Sequence, residues 1–323
     1  MRENGSRKWK SFDDYETCYA EWVAYHNRNK ATSPTSVEVN YIEQYTDVGT
    51  LWDYATSNPS VKRKDIPFVT FPANESFAIV FLSDLHIGNA ATDYENLRRD
   101  AEIIRTTDNM YAFFHGDGID NWIVGKLQSL QRGQSIPFDS EMALFQAWIT
   151  TIQPKLIGVV AGNHDNWTKK MAGIDYLKHI SPPFAMYDAN EVIFRLLWGS
   201  NSKTIAVRHK WRGTSILNPT HGMERASKDI DADIYVGGHT HIGTLFRDFV
   251  VRQRDRIAVL TGTYKVVDSY GDELGLPPPQ HSGCGAIVFD PDGSMTVMRN
   301  LTEAARYLDF KRCRENEQAS TYA

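Results

Sequence analysis

The chain is expected to fold as an α/β protein, and three observations predict it. A strand–loop–helix rhythm repeats between about residues 74 and 265. The strands in it are apolar enough to be buried on both faces. Polar clusters sit at the C-terminal ends of successive strands, where open α/β sheets hold their ligands. The length of 323 residues suits one large α/β domain or two smaller ones. With 41% apolar and 23% charged residues, disorder, collagen and coiled coil are excluded. The longest apolar run, Phe77 to Leu82, covers six residues; a membrane-spanning helix needs roughly 20. No apolar core of a secretory signal follows the N-terminus. Cys18, Cys284 and Cys313 lie far apart and form neither a disulfide framework nor a CxxC pattern, so a reducing, cytoplasmic setting is expected. A net charge of −5 argues against a surface that coats nucleic acid, while leaving room for a local basic patch.

Taken in order, residues 1–73 read as a small, mainly helical extension. Ser11 is a plausible N-cap, with Asp13 and Asp14 in the first turn, and Tyr15, Cys18, Tyr19, Trp22 and Val23 follow at helical spacing. After a linker at 29–36, two short helices are expected around the turn at Asp47 to Gly49. They faintly resemble a helix-turn-helix, with Lys62, Arg63 and Lys64 as a basic tail. A helical cap packed on the main domain accounts for the same residues and is the weightier reading, because helix-turn-helix has no short diagnostic motif.

A main domain over 74–300 follows. Its strands are expected at Phe77–Ser83, Met110–His115, Lys155–Ala161, Thr204–His209 and Asp233–Gly237, with helices at Tyr94–Arg105 and Glu141–Ile152 between them. Four later segments, 246–251, 256–264, 283–290 and 295–300, alternate in β fashion, with a hairpin turn at Asp292-Gly293. The tail, 301–323, should begin as a short helix and fray.

The chemistry lies at the strand ends: Ser83-Asp84-Leu85-His86, then Gly116-Asp117 with Asp120, then Gly162-Asn163-His164-Asp165, then His209, then Gly238-His239-Thr240-His241. Five of the ten histidines fall there. Oxygen and imidazole donors without thiolates suit Mn²⁺, Fe or Zn²⁺, and suit Mg²⁺ or Ca²⁺ less. Alternate residues in D-x-H and H-x-H lie on one side of an extended segment, so both can face an ion. Taken singly, most of these signals have plain explanations: an Asp–His hydrogen bond, an ordinary turn, an Asx-turn, a satisfied buried histidine. Only the GHTH run is a good metal signal by itself. The ordered combination at five successive strand ends decides for metal.

The order D-x-H, GD-x-x-D, GNHD, H, GH-x-H resembles the calcineurin-like metallophosphoesterase superfamily, phage and bacterial members in particular. The motifs span 84–241, and the surrounding strands extend the likeness to about 75–300. The resemblance implies an α/β sandwich of two mixed sheets flanked by helices. It implies a pair of divalent cations, Mn²⁺ first, with Fe, Zn²⁺ or Mg²⁺ as alternatives. Asp84, His86, Asp117 and His241 would hold one ion; Asp117, Asn163, His209 and His239 would hold the other. A bridging hydroxide would attack phosphorus, His164 would assist the leaving group, and Asp120 and Asp165 would orient these residues. Arg208, before His209, departs from the small or apolar residue expected there.

Lys210, Arg212 and His221 are candidates to grip the substrate phosphate, and Tyr264 and Lys265 to line a substrate groove. His115 reads rather as a strand-end histidine bonded in the core. Trp52, Trp122, Trp167 and Trp211 could stack a base but more commonly cover a core edge. The expected function is metal-dependent hydrolysis of phosphate esters, with a phosphate ester as partner and no membrane. The alternatives are a DNA exo- or endonuclease and a non-catalytic nucleic-acid-binding module.

Overall fold

The computed structural model describes residues 66–121, 123, 133–213, 215, 217–266 and 282–321. The helices expected before residue 66, the basic run 62–64, Trp52 and Trp122 lie outside them. The strands are β1 (Phe68–Phe71), β2 (Phe77–Leu82), β3 (Met110–Phe114), β4 (Leu156–Val160), β5 (Met186–Asp188), β6 (Val192–Trp198), β7 (Asn201–Val207), β8 (Ile234–Gly237), β9 (Leu245–Val251), β10 (Arg254–Leu260), β11 (Gly285–Phe289) and β12 (Met295–Met298). They form two six-stranded mixed sheets. One runs β12-β11-β2-β3-β4-β5 and the other β1-β6-β7-β8-β10-β9. In the first, β2 to β5 are parallel and β11 and β12 close the edge antiparallel. In the second, β7, β8 and β10 are parallel, as are β1 and β6, while β6 runs antiparallel to β7 and β9 to β10.

The two-residue period of a strand sends alternate side chains to opposite faces. On β2, Phe77 and Phe81 point toward the second sheet. Phe77 stacks on Phe71 at 4.1 Å and Phe289 at 5.2 Å and meets Trp198 edge-on. Phe113 of β3 stacks on Phe194 of β6 at 5.6 Å. The layer between the sheets is therefore largely aromatic. The other face of β2 (Ala78, Val80, Leu82) packs on helices. These are α1 (Tyr94–Thr106), which buries Leu97, Ala101 and Ile104, and α2 (Phe138–Ile152), which buries Phe145 and Ile149. Asp93 caps α1 by accepting the Asn96 N–H at 3.0 Å. The remaining helices are α3 (Asn163–Ala172), α4 (Tyr176–Ile180), α5 (His221–Ala226) and α6 (Leu301–Thr321). The outer face of the second sheet is covered in part by Met223 of α5.

Three expectations are corrected. The boundary at 73/74 falls too late, because Phe68–Phe71 is a strand paired with β6. The C-terminal segment is a helix to Thr321 rather than a short helix that frays, and Leu301, Ala304 and Leu308 form a buried stripe on the first sheet's helical face. Strands β5 and β6 were not foreseen. No helix among the described residues is long and apolar enough to cross a membrane.

Candidate metal centre

Three loops of the first sheet, after β2, β3 and β4, and two of the second, after β7 and β8, converge at one edge of the sandwich. Backbone bonds stitch them together. The Asp84 N–H donates to Gly116 O at 2.9 Å, and the Leu85 and His86 N–H groups both donate to Asp117 O. On the other side, the Gly238 N–H donates to His209 O at 2.9 Å. Two glycines permit the closest approaches. A Cβ on Gly162 would run into the Asp117 carboxylate, and one on Gly238 would reach Ser83 Oγ and Asp84 Oδ2.

Asp84, His86, Asp117, His239 and His241 all have positive φ, between 46° and 68°. They are five of the nine non-glycine residues with positive φ among the described residues. Such conformations cost of order 1–2 kcal/mol each and persist where the surroundings over-determine them, typically at functional sites.

Ligand atoms of Asp84, His86 and His241 lie within 4.8 Å of one another, as do those of Asp117, His209 and His239, and those of His86, Asp117 and His164. Asp84 Oδ1 is 3.0 Å from His241 Nε2 and 3.9 Å from His86 Nε2. His86 Nε2 is 3.1 Å from His241 Nε2. Asp117 Oδ2 is 3.0 Å from His209 Nε2, yet that nitrogen makes no hydrogen bond. Asn163 opens α3, and its buried Oδ1 is likewise without a partner. Two buried polar atoms without a hydrogen-bond partner, beside two carboxylates and four imidazoles, make a donor set that a divalent cation would satisfy. Asp84, His86, Asp117, His164, His209, His239 and His241 thus fall into overlapping clusters at one edge.

The electrostatics are those of a buried cluster of opposite charges. Burial would raise the Asp84 and Asp117 carboxyls, but it is outweighed, chiefly by the His209 charge, and both are held well below the usual range. Burial would lower His209, but Asp117 and Asp84 outweigh it and raise it to about 9. Burial brings His86 and His239 down to about 4, which keeps both imidazoles neutral and available as ligands.

The supporting residues are partly as expected. Asp120 Oδ1 sits 2.8 Å from His86 Nδ1, turning His86 Nε2 toward the site. His164 Nδ1 contacts the main-chain oxygen of Asp120 rather than a carboxylate. Asp165 does not orient His164 directly. Its carboxylate accepts the Asp117 and Gly162 N–H groups, at 2.7 and 2.8 Å, and the Tyr176 hydroxyl. The Trp167 ring lies over the His164 imidazole at 4.1 Å. Trp211 is a core residue that donates to Val236 O, and Tyr264 is buried against Asp100. Lys210, Arg212 and His221 are exposed. Arg208, unexpected before His209, pairs with Glu191 at 2.6 Å and lies over Trp211.

Two supports went unseen in the sequence. Glu141 of α2 is fully buried and accepts the Asp120 and Asn121 N–H groups at 2.6 and 3.0 Å. Asn121 in turn donates to His164 O at 2.6 Å. Neither carries a motif signal. Lys265, read as a groove residue, is instead buried with its ammonium 3.7 Å from Asp120 Oδ1.

No protein-family model matches the chain. No curated protein matches it either. Solved structures with a similar fold include a single mutant of Vps29 from Entamoeba histolytica (12% identity, 69% of this chain and 98% of that one, TM-score 0.39). Vps29 from the same organism complexed with Zn²⁺ gives 12% identity, 69% and 98% coverage and a TM-score of 0.34. A conserved uncharacterized protein from Streptococcus pneumoniae, a predicted phosphoesterase, gives 12% identity, 70% and 98% coverage and a TM-score of 0.32. These are weak likenesses of chain path, from which no chemistry follows.

Proposed function

We propose that this chain is a phosphoesterase that works with two divalent cations. The observation that carries the reading is the convergence, from five loops of two sheets, of a sulfur-free set of carboxylate, carboxamide and imidazole donors, with the His164 imidazole beside them, its Nε2 3.9 Å from Asp117 Oδ2. Asp84, His86, Asp117 and His241 would hold one cation and Asp117, Asn163, His209 and His239 the other, with Asp117 shared. The donors suit Mn²⁺, Fe or Zn²⁺. Bound there, the cations would supply charge neutralisation of the phosphoryl oxygens and acidification of an attacking water.

The chain's own residues do the rest. Asp120 and Asp165 fix ligand orientation, through His86 Nδ1 and through the Asp117 backbone. The Asp120 carbonyl engages His164 Nδ1, which turns Nε2 toward the centre, 3.9 Å from Asp117 Oδ2. When doubly protonated, His164 gives its Nε2 proton to the departing alkoxide. The flanking Trp167 ring limits where that imidazole can swing. Lys210, one residue past His209 and exposed, would meet a non-bridging phosphoryl oxygen.

The test is a substrate panel with Mn²⁺-loaded protein: p-nitrophenyl phosphate, its bis-ester, and single- and double-stranded DNA. His164→Ala should cut turnover by about 10²–10⁴ with metal content unchanged. Equal loss of metal would overturn the role given to His164, and no turnover of any ester by the loaded wild type would overturn the enzyme reading. Cleavage of DNA with steep salt sensitivity would place the activity among nucleases.

A further inference from the structure

We propose that Ser83, Thr261 and His115 form a one-way hydrogen-bond relay behind the metal centre that commits Asp84 to bind a cation through a single oxygen; this rests on the two-cation reading above. All four residues are at most 1% exposed. The Ser83 hydroxyl donates to Asp84 Oδ2. Its only proton is thereby spent, so Thr261 is the donor in the contact between Ser83 Oγ and Thr261 Oγ1 at 2.7 Å, which is much shorter than the 3.3 Å from Thr261 Oγ1 to the competing Gly237 carbonyl. Thr261 Oγ1 then accepts, and the group beside it is His115 Nε2 at 3.2 Å. That fixes His115 as the Nε2–H tautomer. His115 Nδ1 is buried with no partner, as a bare ring nitrogen can be. The opposite tautomer would bury an unpaired N–H and leave Thr261 without a donor.

The consequence falls on Asp84. Its Oδ2 accepts from Ser83 and from the His239 N–H at 2.9 Å and is used up. Oδ1 alone faces the imidazoles of His241, His86 and His209, at 3.0, 3.9 and 4.0 Å. Donors aligned toward an anion strengthen one another and hold the carboxylate in one rotamer. His115 also acts through its main chain, since its carbonyl takes His209 Nδ1 at 2.9 Å, which leaves His209 Nε2 toward Asp117. Thr261 directly follows β10, a strand of the second sheet, whereas Asp84 follows β2 of the first. The relay therefore places a ligand of one sheet from the other. Ser83, Thr261 and His115 are positioning residues.

The test is Mn²⁺ binding, followed by competition with a chelating dye, on the full chain. Thr261→Val keeps the shape and removes the hydroxyl. It should weaken one of the two cations about 10- to 100-fold and leave the other within about threefold, and Thr261→Ser should restore both. Wild-type binding of both cations by Thr261→Val, equal weakening of both, or no rescue by serine would overturn the relay. A measurement independent of any variant is the imidazole ¹⁵N spectrum of Zn²⁺-loaded wild type. An Nε2–H signal for His115 is expected, and an Nδ1–H signal would overturn the relay. If the wild type binds no Mn²⁺, the two-cation reading falls, and the His115 tautomer in that same protein still decides the relay on its own.

Discussion

The space between the two sheets and the rim above it are made by the same strands, and they could hardly differ more. Along β2, Phe77 and Phe81 sit in relaxed extended backbone and pack rings from both sheets into a dry layer. Two residues past the strand, Asp84 is buried with a positive φ, and His86, Asp117, His239 and His241 share that conformation. Stability is concentrated in the layer, where apolar area and ring contacts accumulate without polar cost. The rim works the other way. It buries charge and holds backbone in disfavoured wells, which only a rigid support beneath it can sustain.

The contrast can be broken most sharply at the rim. Asp117→Asn removes the one carboxylate expected to serve both cations, and hydrolysis should fall by more than about 10³, with Mn²⁺ occupancy lost by elemental analysis. Thermal unfolding of the metal-free protein should shift less than for any large truncation of the inter-sheet layer. The reverse experiment is Phe77→Ala. Urea unfolding should show a loss of about 3–5 kcal/mol, while the folded fraction still takes up Mn²⁺ at wild-type stoichiometry. If Phe77→Ala lost cations before it lost structure, the division between layer and rim would be wrong.

A smaller effect is expected behind the rim, at Glu141 of α2. Burial raises its carboxyl to about 7, against an ordinary value of 4.5. The folded state therefore binds this proton more tightly than the unfolded chain does. Stability from this group is fully present below about pH 4.5 and is lost as pH rises through about 7. Glu141→Gln, which can still accept the Asp120 and Asn121 N–H groups, should remove that slope and stabilise the protein above pH 7 by no more than about 3 kcal/mol. Unfolding curves between pH 4.5 and 8 for both forms would check it.

What was legible in the sequence follows the same division. The strands that carry motifs were visible because their apolar runs end in glycine and in ligand-type residues, and the ordered series of ends named the site. β6 was not visible, because it mixes buried Phe194 and Leu196 with exposed Arg195, and no histidine or carboxylate follows the Gly199 at its end. Glu141 and Thr261 were invisible for another reason. They act by meeting a backbone N–H or a hydroxyl across the fold, and that demands only a position in space. The left-handed backbone at Asp84, His86, Asp117, His239 and His241 was hidden as well, because these positions carry carboxylate and imidazole side chains where glycine would otherwise announce the conformation.

Asp84, His86, Asp117 and Asn163 follow strands of one sheet, while His209, His239 and His241 follow strands of the other. A cation held by residues of both would act as a clasp across the seam of the sandwich. Chelation would then unlatch that edge, and amide exchange should quicken at the mouths of β7 and β8 while the ring-filled interior stays shut.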